Sequence, residues 1–308
     1  MPFLPVGGQA VIEGVMMRSP SLVAVAVRRP DGSTGYFEKP FISITRRVNI
    51  LGWPVIRGAV SLFETLYLGI TALNFSADEA ARDAKTSDAG PMQPVVQGLV
   101  VVASLGLGLL LFVVLPAKLT VWVGASSRLA FGLVDGGFRL AAFVLYLLLI
   151  SQWKEMARVL GYHGAEHKAI HALENRAPLT PESVQSFTRF HPRCGTSFLF
   201  LVVVVSIVVF TFIGRPHGVR DHLLRIACMP LIAGVAFEFI RLSGKYYDRP
   251  FVKALVWPGL QFQRLTTREP DLDMCAVAIA ALEKVRVDEI VAKLEAGEDA
   301  RAEVAFVQ

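Results

Sequence analysis

The chain has 308 residues, 53% of them hydrophobic and only 19% charged, with a mean hydropathy of +0.50 and a net charge of +5. Soluble domains carry about 25% charged residues, so the deficit and the long uncharged runs exclude an ordinary soluble domain and indicate an integral membrane protein. No nucleic-acid-reading motif accompanies the small positive charge, which in such a chain belongs at lipid headgroups and cytoplasmic loops. Three cysteines, Cys194, Cys228 and Cys275, are too few and too scattered for a disulfide framework.

Residues 1–50 read as a small β-rich piece. Leu22–Lys39 alternates, turns at Pro30-Asp31-Gly32 and alternates again, the pattern of a hairpin. The upstream GGQAVIEGVMMR (7–18) is glycine-rich but is neither a dinucleotide fingerprint nor a phosphate-binding loop. Gly7-Gly8 is expected to make a tight turn with Val11 and Val15 packed inside, leaving Glu13 and Arg18 as candidates to reach a site on the same side of the membrane. The opening residues lack both the basic start and the apolar core of a signal peptide, which predicts a cytosolic N-terminus. Residues 51–93 combine a helix of apolar spacing with the polar linker RDAKTSDAGPMQP. Arg57 and Glu64 suit that helix to an interfacial or intramembrane-packed position better than to a spanning one.

Residues 94–243 read as the transmembrane region. Val95–Leu115 is 21 residues without a charge, bounded by Pro94 and Pro116, and a bilayer core demands about 20. Phe138–Trp153, Ser197–Ile213 and Ile226–Leu242 complete a set of about four spans, with the semi-apolar stretch 117–137 between the first two. Four spans after a cytosolic start put the loop 154–196 and the tail 244–308 in the cytoplasm. The six Lys or Arg of that loop, against three in 116–139 and three in 214–225, carry the sign of the positive-inside rule. The tail holds an irregular, proline-punctuated stretch, Tyr246–Pro270, and an amphipathic helix from Asp271 to Ala296. The fold class is thus an α-helical polytopic membrane protein with a small β-rich N-terminal cytosolic piece.

HGAEHKAIHALE (163–174) packs three histidines and two carboxylates into twelve residues beside this apolar region. On a helix His163 and His167 share a face, with Glu166 and Glu174 near it. H-x-x-E-H is the inverted zincin order, in which the Glu is a general base. The plain alternative is a solvated helix near lipid headgroups. FHPRCGTSF then adds His191 and Cys194, three apart, just before the third span. Two nearby ligand pairs of imidazole and thiolate are how tetrahedral zinc sites are commonly built, so the pattern predicts Zn2+, or another divalent metal, on His163, His167, His191 and Cys194. A closed set of four would be structural. With three ligands and water, Glu166 becomes the base, and Arg193, Thr196 and Ser197 become candidates to hold substrate oxygens. Glu238 lies 71 residues after His167, roughly where inverted zincins place a third ligand, and inside an apolar span. It either joins the metal, as Glu174 and Glu13 also could, or pairs with Arg241 one turn on.

GGQAVIEGVMMR, HGAEHK (163–168), HPRCGTSF (191–198) and LTTREP (265–270) together resemble the YqhQ family of bacterial membrane proteins, a domain of unknown function for which a metal-dependent enzymatic activity is predicted. The resemblance covers nearly the whole chain. His163, Glu166, His167, Lys168, Glu174, His191, Arg193 and Cys194 match its motif positions, whereas a bulky apolar or aromatic residue usually stands at the position of His171. That marks His171 as incidental. The resemblance implies a multi-pass protein of the bacterial cytoplasmic membrane, its termini and metal-site loop cytosolic. The leading expectation is a metal-dependent hydrolase at the cytosolic membrane surface. The alternative is a scaffold or assembly factor in which the metal is structural. Expected partners are the lipid bilayer and a substrate or membrane-protein client, with no nucleic acid. A transporter ranks third, because Glu238 is the one clear ionisable residue within a predicted span and no pair of broken helices is evident.

Overall fold

Four strands, β1 Gly7–Val11, β2 Gly14–Arg18, β3 Leu22–Arg28 and β4 Thr34–Pro40, form an antiparallel meander paired in sequence order. The computed structural model describes residues 6–81, 94–192, 194–247 and 249–285. The predicted hairpin is β3–β4, with Val25 opposite Phe37 and Gly32 at φ 83° in the turn. Gly7-Gly8, however, lies within β1. The first turn falls at Ile12-Glu13, with Glu13 at φ 52° and the Ile12 N–H donating to Ser76 Oγ at 3.2 Å.

The alternation in β3 sorts two buried faces rather than a buried one and a wet one. Ala24 and Ala26 join the core of α5 (Lys154–Glu174) and α11 (Leu272–Val285), while Val23, Val25 and Val27 pack with Leu68 and Ala72 of α1 (Ile56–Ala81). Alanine on one side lets the helix pair lie close, and valine fills the other. The sheet is therefore a middle layer between helices.

Among the described residues five helical stretches are long and apolar enough to cross a membrane: Ile56–Ala81, Gly98–Trp122, Arg128–Ile150, Gly195–Ile213 and Val219–Gly244. The first is the helix expected to be interfacial or packed within the membrane, so the tally is one above the four expected. Its second half lies on the sheet and its first half meets α9 (Met229–Lys245), where Gly58 faces Phe237 and Gly234.

Boundaries differ from the expected ones for identifiable reasons. Pro116 does not end the first apolar helix. A π turn, Leu110–Val114, joins α2 (Pro94–Leu109) to α3 (Leu115–Trp122), and Pro116 falls in the first turn of α3, where its missing N–H is tolerated. Ser127 caps α4 (Arg128–Ile150) by accepting from the Ala130 N–H at 3.1 Å, so much of 117–137 is helical and this helix starts ten residues before Phe138. It stops at Ile150, and α5 is a separate helix rather than its continuation. The stretch Tyr246–Pro270, expected to be irregular, contains α10 (Pro250–Thr266) despite Pro258. Its buried positions Val256, Gly259, Gln263 and Thr266 keep helical spacing, and packing outweighs the local penalty. The C-terminal amphipathic helix is α11, begun by Asp271 Oδ1 accepting from the Met274 N–H at 2.8 Å; the expected extension to Ala296 lies outside the described residues. The short α6 (Pro181–Gln185) completes the domain around α5.

Candidate metal centre

From Leu160 onward α5 is almost wholly buried, which for a helix carrying three histidines, two glutamates and a lysine demands partners. It finds them in two other stretches. The LTTREP segment lies along one flank: Arg268 N–H donates to Leu160 O at 2.8 Å, and the Arg268 carbonyl sits where a Cβ on Gly164 would be, 2.1 Å from it. Only glycine permits that approach. Lys168, 2% exposed, donates to Gln185 O at 2.7 Å and pairs with Glu269. The segment before α7 (Gly195–Ile213) lies along the other flank and brings Arg189, Phe190, His191 and Cys194 to the helix.

Three donors converge there. His163 Nε2 lies 3.2 Å from Cys194 Sγ, and the ligand atoms of His163, His167 and Cys194 all fall within 4.8 Å of one another. The backbone sets both imidazoles. His163 Nδ1 faces Thr266 O at 2.7 Å and His167 Nδ1 faces Arg189 O at 2.5 Å. Those nitrogens therefore carry the protons, and both Nε2 lone pairs point inward, the orientation metal-ligating histidines adopt. His167 Nε2 is buried without a hydrogen-bond partner among the described residues. Burial holds this imidazole down to about 4, so at neutral pH it is uncharged and able to ligate. Cys194 is the N-cap of α7, 2.9 Å from Thr196 Oγ1. Burial raises its thiol, but contacts with His167 and Thr196 outweigh that and leave it below its ordinary range.

Glu166 joins this group. Its Oε2 is 3.9 Å from His163 Nε2 and 3.8 Å from His167 Nε2. Behind it stands β1, where a Cβ on Gly8 would come 2.8 Å from Glu166 Cγ. The first glycine-rich motif thus serves as a close-packed backing for this carboxylate, a role the sequence does not announce.

The other candidates go elsewhere. His191 falls outside that 4.8 Å group, with its ring centroid 5.6 Å from that of His167; it sits with Glu174 and with His171, the histidine set aside as incidental, in a second buried group whose donor atoms also lie within 4.8 Å of one another. Glu13 is paired with Arg158 and Tyr162, and the Arg158 guanidinium holds its carboxyl below the usual range. It docks the sheet onto α5. Arg18 pairs with Glu64 at 3.7 Å. Glu238 receives Arg57 Nε at 2.7 Å and the Val55 N–H at 3.3 Å, which ties α1 to α9, and it belongs to neither donor group. Ser197 lies beside Gln263 and Gly259, and Arg193 lies outside the described residues.

The sequence also concealed a second set of buried charges. Asp135 and Arg139 of α4 meet Arg225 of α8 (Val219–Ala227), all three at most 4% exposed. Asp135 Oδ2 accepts from Arg139 Nε at 3.0 Å and Arg225 Nη1 at 3.4 Å.

The family described as "Protein of unknown function (DUF1385)" matches residues 53–288. The chain is 30% identical over 299 residues to the uncharacterized protein YqhQ of Bacillus subtilis (strain 168), with 91% of each chain covered. No solved structure matches it.

Proposed function

The chain belongs to the DUF1385 family, and from the donors gathered on α5 we propose that it is a membrane-embedded, metal-dependent hydrolase working at the cytosolic surface of a bacterial cytoplasmic membrane. The observation that carries this reading is the pair of imidazoles whose Nδ1 atoms are tied to backbone carbonyls while both Nε2 atoms face Cys194. Two imidazoles and a thiolate suit zinc, and an ion there would relieve the desolvated His167 Nε2. When bound, the ion supplies Lewis acidity to water and to a carbonyl or phosphoryl oxygen of the substrate. Glu166 takes the proton from the attacking water and returns it to the leaving group; its placement beside both Nε2 atoms gives it that reach. His163, with 19% of its side chain exposed, marks the side from which substrate enters. The scaffold reading draws on the burial of Glu166, His167 and Cys194, each at most 1% exposed.

The membrane setting rests on uncovered apolar surface. Val95, Leu99, Val102, Leu105, Leu107, Leu110, Leu145 and Leu149 are each more than half exposed, far beyond what a monomer leaves to water. All four tryptophans, Trp53, Trp122, Trp153 and Trp257, are 59–84% exposed, as in an interfacial belt. A cysteine introduced at Glu182 should resist an impermeant maleimide applied to intact cells and react after permeabilisation. Labelling from outside would reverse the topology.

A metal-held thiolate is shielded, so peptide-resolved alkylation of Cys194 should accelerate severalfold when a strong chelator is added, and His163→Ala should show the fast rate throughout. Equal rates with and without chelator would remove Cys194 from the ligand set and with it this reading.

A further inference from the structure

We propose that His171, Glu174 and His191 form a second divalent-cation site, separate from the first and non-catalytic, that locks the segment leading into α7 against α5. Their donor atoms lie within 4.8 Å of one another, and the residues are 8%, 6% and 1% exposed. His171 and Glu174 are three apart on one helix face, and His191 comes from across the turn, so the group crosslinks two stretches of chain.

The donors are fixed in orientation. His171 Nε2 faces Phe190 O at 2.9 Å, which places the ring proton there and leaves the Nδ1 lone pair for a ligand. The backbone of His191 is clamped by one side chain on both sides, with its N–H donating to Gln263 Oε1 at 2.8 Å and its carbonyl accepting from Gln263 Nε2 at 2.7 Å. The His171 and His191 rings meet edge-on with centroids 4.7 Å apart, and His191 Nε2 lies 3.5 Å from Glu174 Oε2.

Chemistry separates this group from its neighbour. Two imidazoles and a carboxylate, with no thiolate, suit zinc, iron(II) or manganese(II), whereas the thiolate of the first group favours zinc. The two groups adjoin, with the His167 and His191 ring centroids 5.6 Å apart, yet they share no donor. The second group has no partly exposed donor comparable to His163, so substrate has no side from which to enter it. An ion there acts as a crosslink, stabilising the folded chain because the unfolded chain has no such site.

The test is metal counting. The full-length protein, purified in detergent, equilibrated with zinc chloride and dialysed, should retain two equivalents of zinc, iron and manganese together by mass spectrometry. His171→Phe, which preserves bulk, and Glu174→Gln, which preserves shape, should each retain one, with Cys194 still shielded from alkylation. His163→Ala should also retain one, but with Cys194 exposed. A wild-type count of one that vanishes with His163→Ala would overturn the second site and leave the first standing. Two equivalents that survive both His171→Phe and Glu174→Gln would overturn it as well, leaving Glu174 and His191 as a hydrogen-bonded pair that needs no ion. A wild-type count of zero would remove both.

Discussion

In a Glu166→Gln protein the metal content, the thermal stability and the shielding of Cys194 stay at wild-type levels, while complementation of a deletion strain fails. Glutamine preserves the shape and packing of the side chain against β1, so Gly8 keeps its contact and the helix its register. What it removes is the proton acceptor, and loss of a general base costs about 100-fold to 10,000-fold in rate. His163→Ala and His167→Ala should instead lose both the ion from the first group and function. The contrast matters because Glu166 is not required to ligate. If the ion only braces the fold, Glu166→Gln should complement at normal expression, and that result would establish the scaffold reading.

The helical spacing of His163 and His167, the nearby glutamate and the return of Cys194 were all legible in the sequence, because each depends on a local period or on two motifs lying close along the chain. The division of these donors into two groups was not. His191 and Cys194 stand three apart and read as a pair, yet Cys194 caps α7 and faces His163, whereas the clamp of Gln263 on the His191 backbone accompanies a ring beside Glu174. Gln263 acts from 72 residues away, and nothing local signals it. Glu238 hid its main partner in the same manner. Its spacing from His167 suggested a ligand and Arg241 suggested a neighbour; Arg241 does act on it through charge, but the hydrogen-bonded partner is Arg57, 181 residues earlier. The sheet was read correctly where turn chemistry governs, at Pro30-Asp31-Gly32, and incorrectly at Gly7-Gly8, which lies within β1 and where Gly8 serves a close approach to α5 rather than a turn.

The same blindness to distant partners hid Asp135, Arg139 and Arg225, two of which fell in segments read as connecting loops. Replacing Asp135 with Ala should destabilise the protein by about 3–5 kcal/mol, the cost of stripping the counter-charge from buried ions. Two guanidiniums here share one carboxylate. Arg139 also donates to Phe112 O at 2.5 Å and Val113 O at 3.3 Å, carbonyls that belong to the π turn, and Arg225 donates to Gly214 O at 2.7 Å. Both lie over the Phe210 ring, with centroid distances of 4.7 and 4.8 Å. These contacts orient the cations without neutralising them, so Asp135 is the carboxylate that meets both buried arginines. Asp135→Asn keeps the size and one acceptor oxygen and should still lose most of the stability, because the missing element is charge. Arg225→Met in the Asp135→Asn background should recover part of it by removing one uncompensated cation. Thermal unfolding in detergent, followed by the fraction remaining monodisperse, reads all three. A loss below about 1 kcal/mol for Asp135→Ala, the range of an exposed pair, would mean that water reaches the cluster and that α4 and α8 do not bury it.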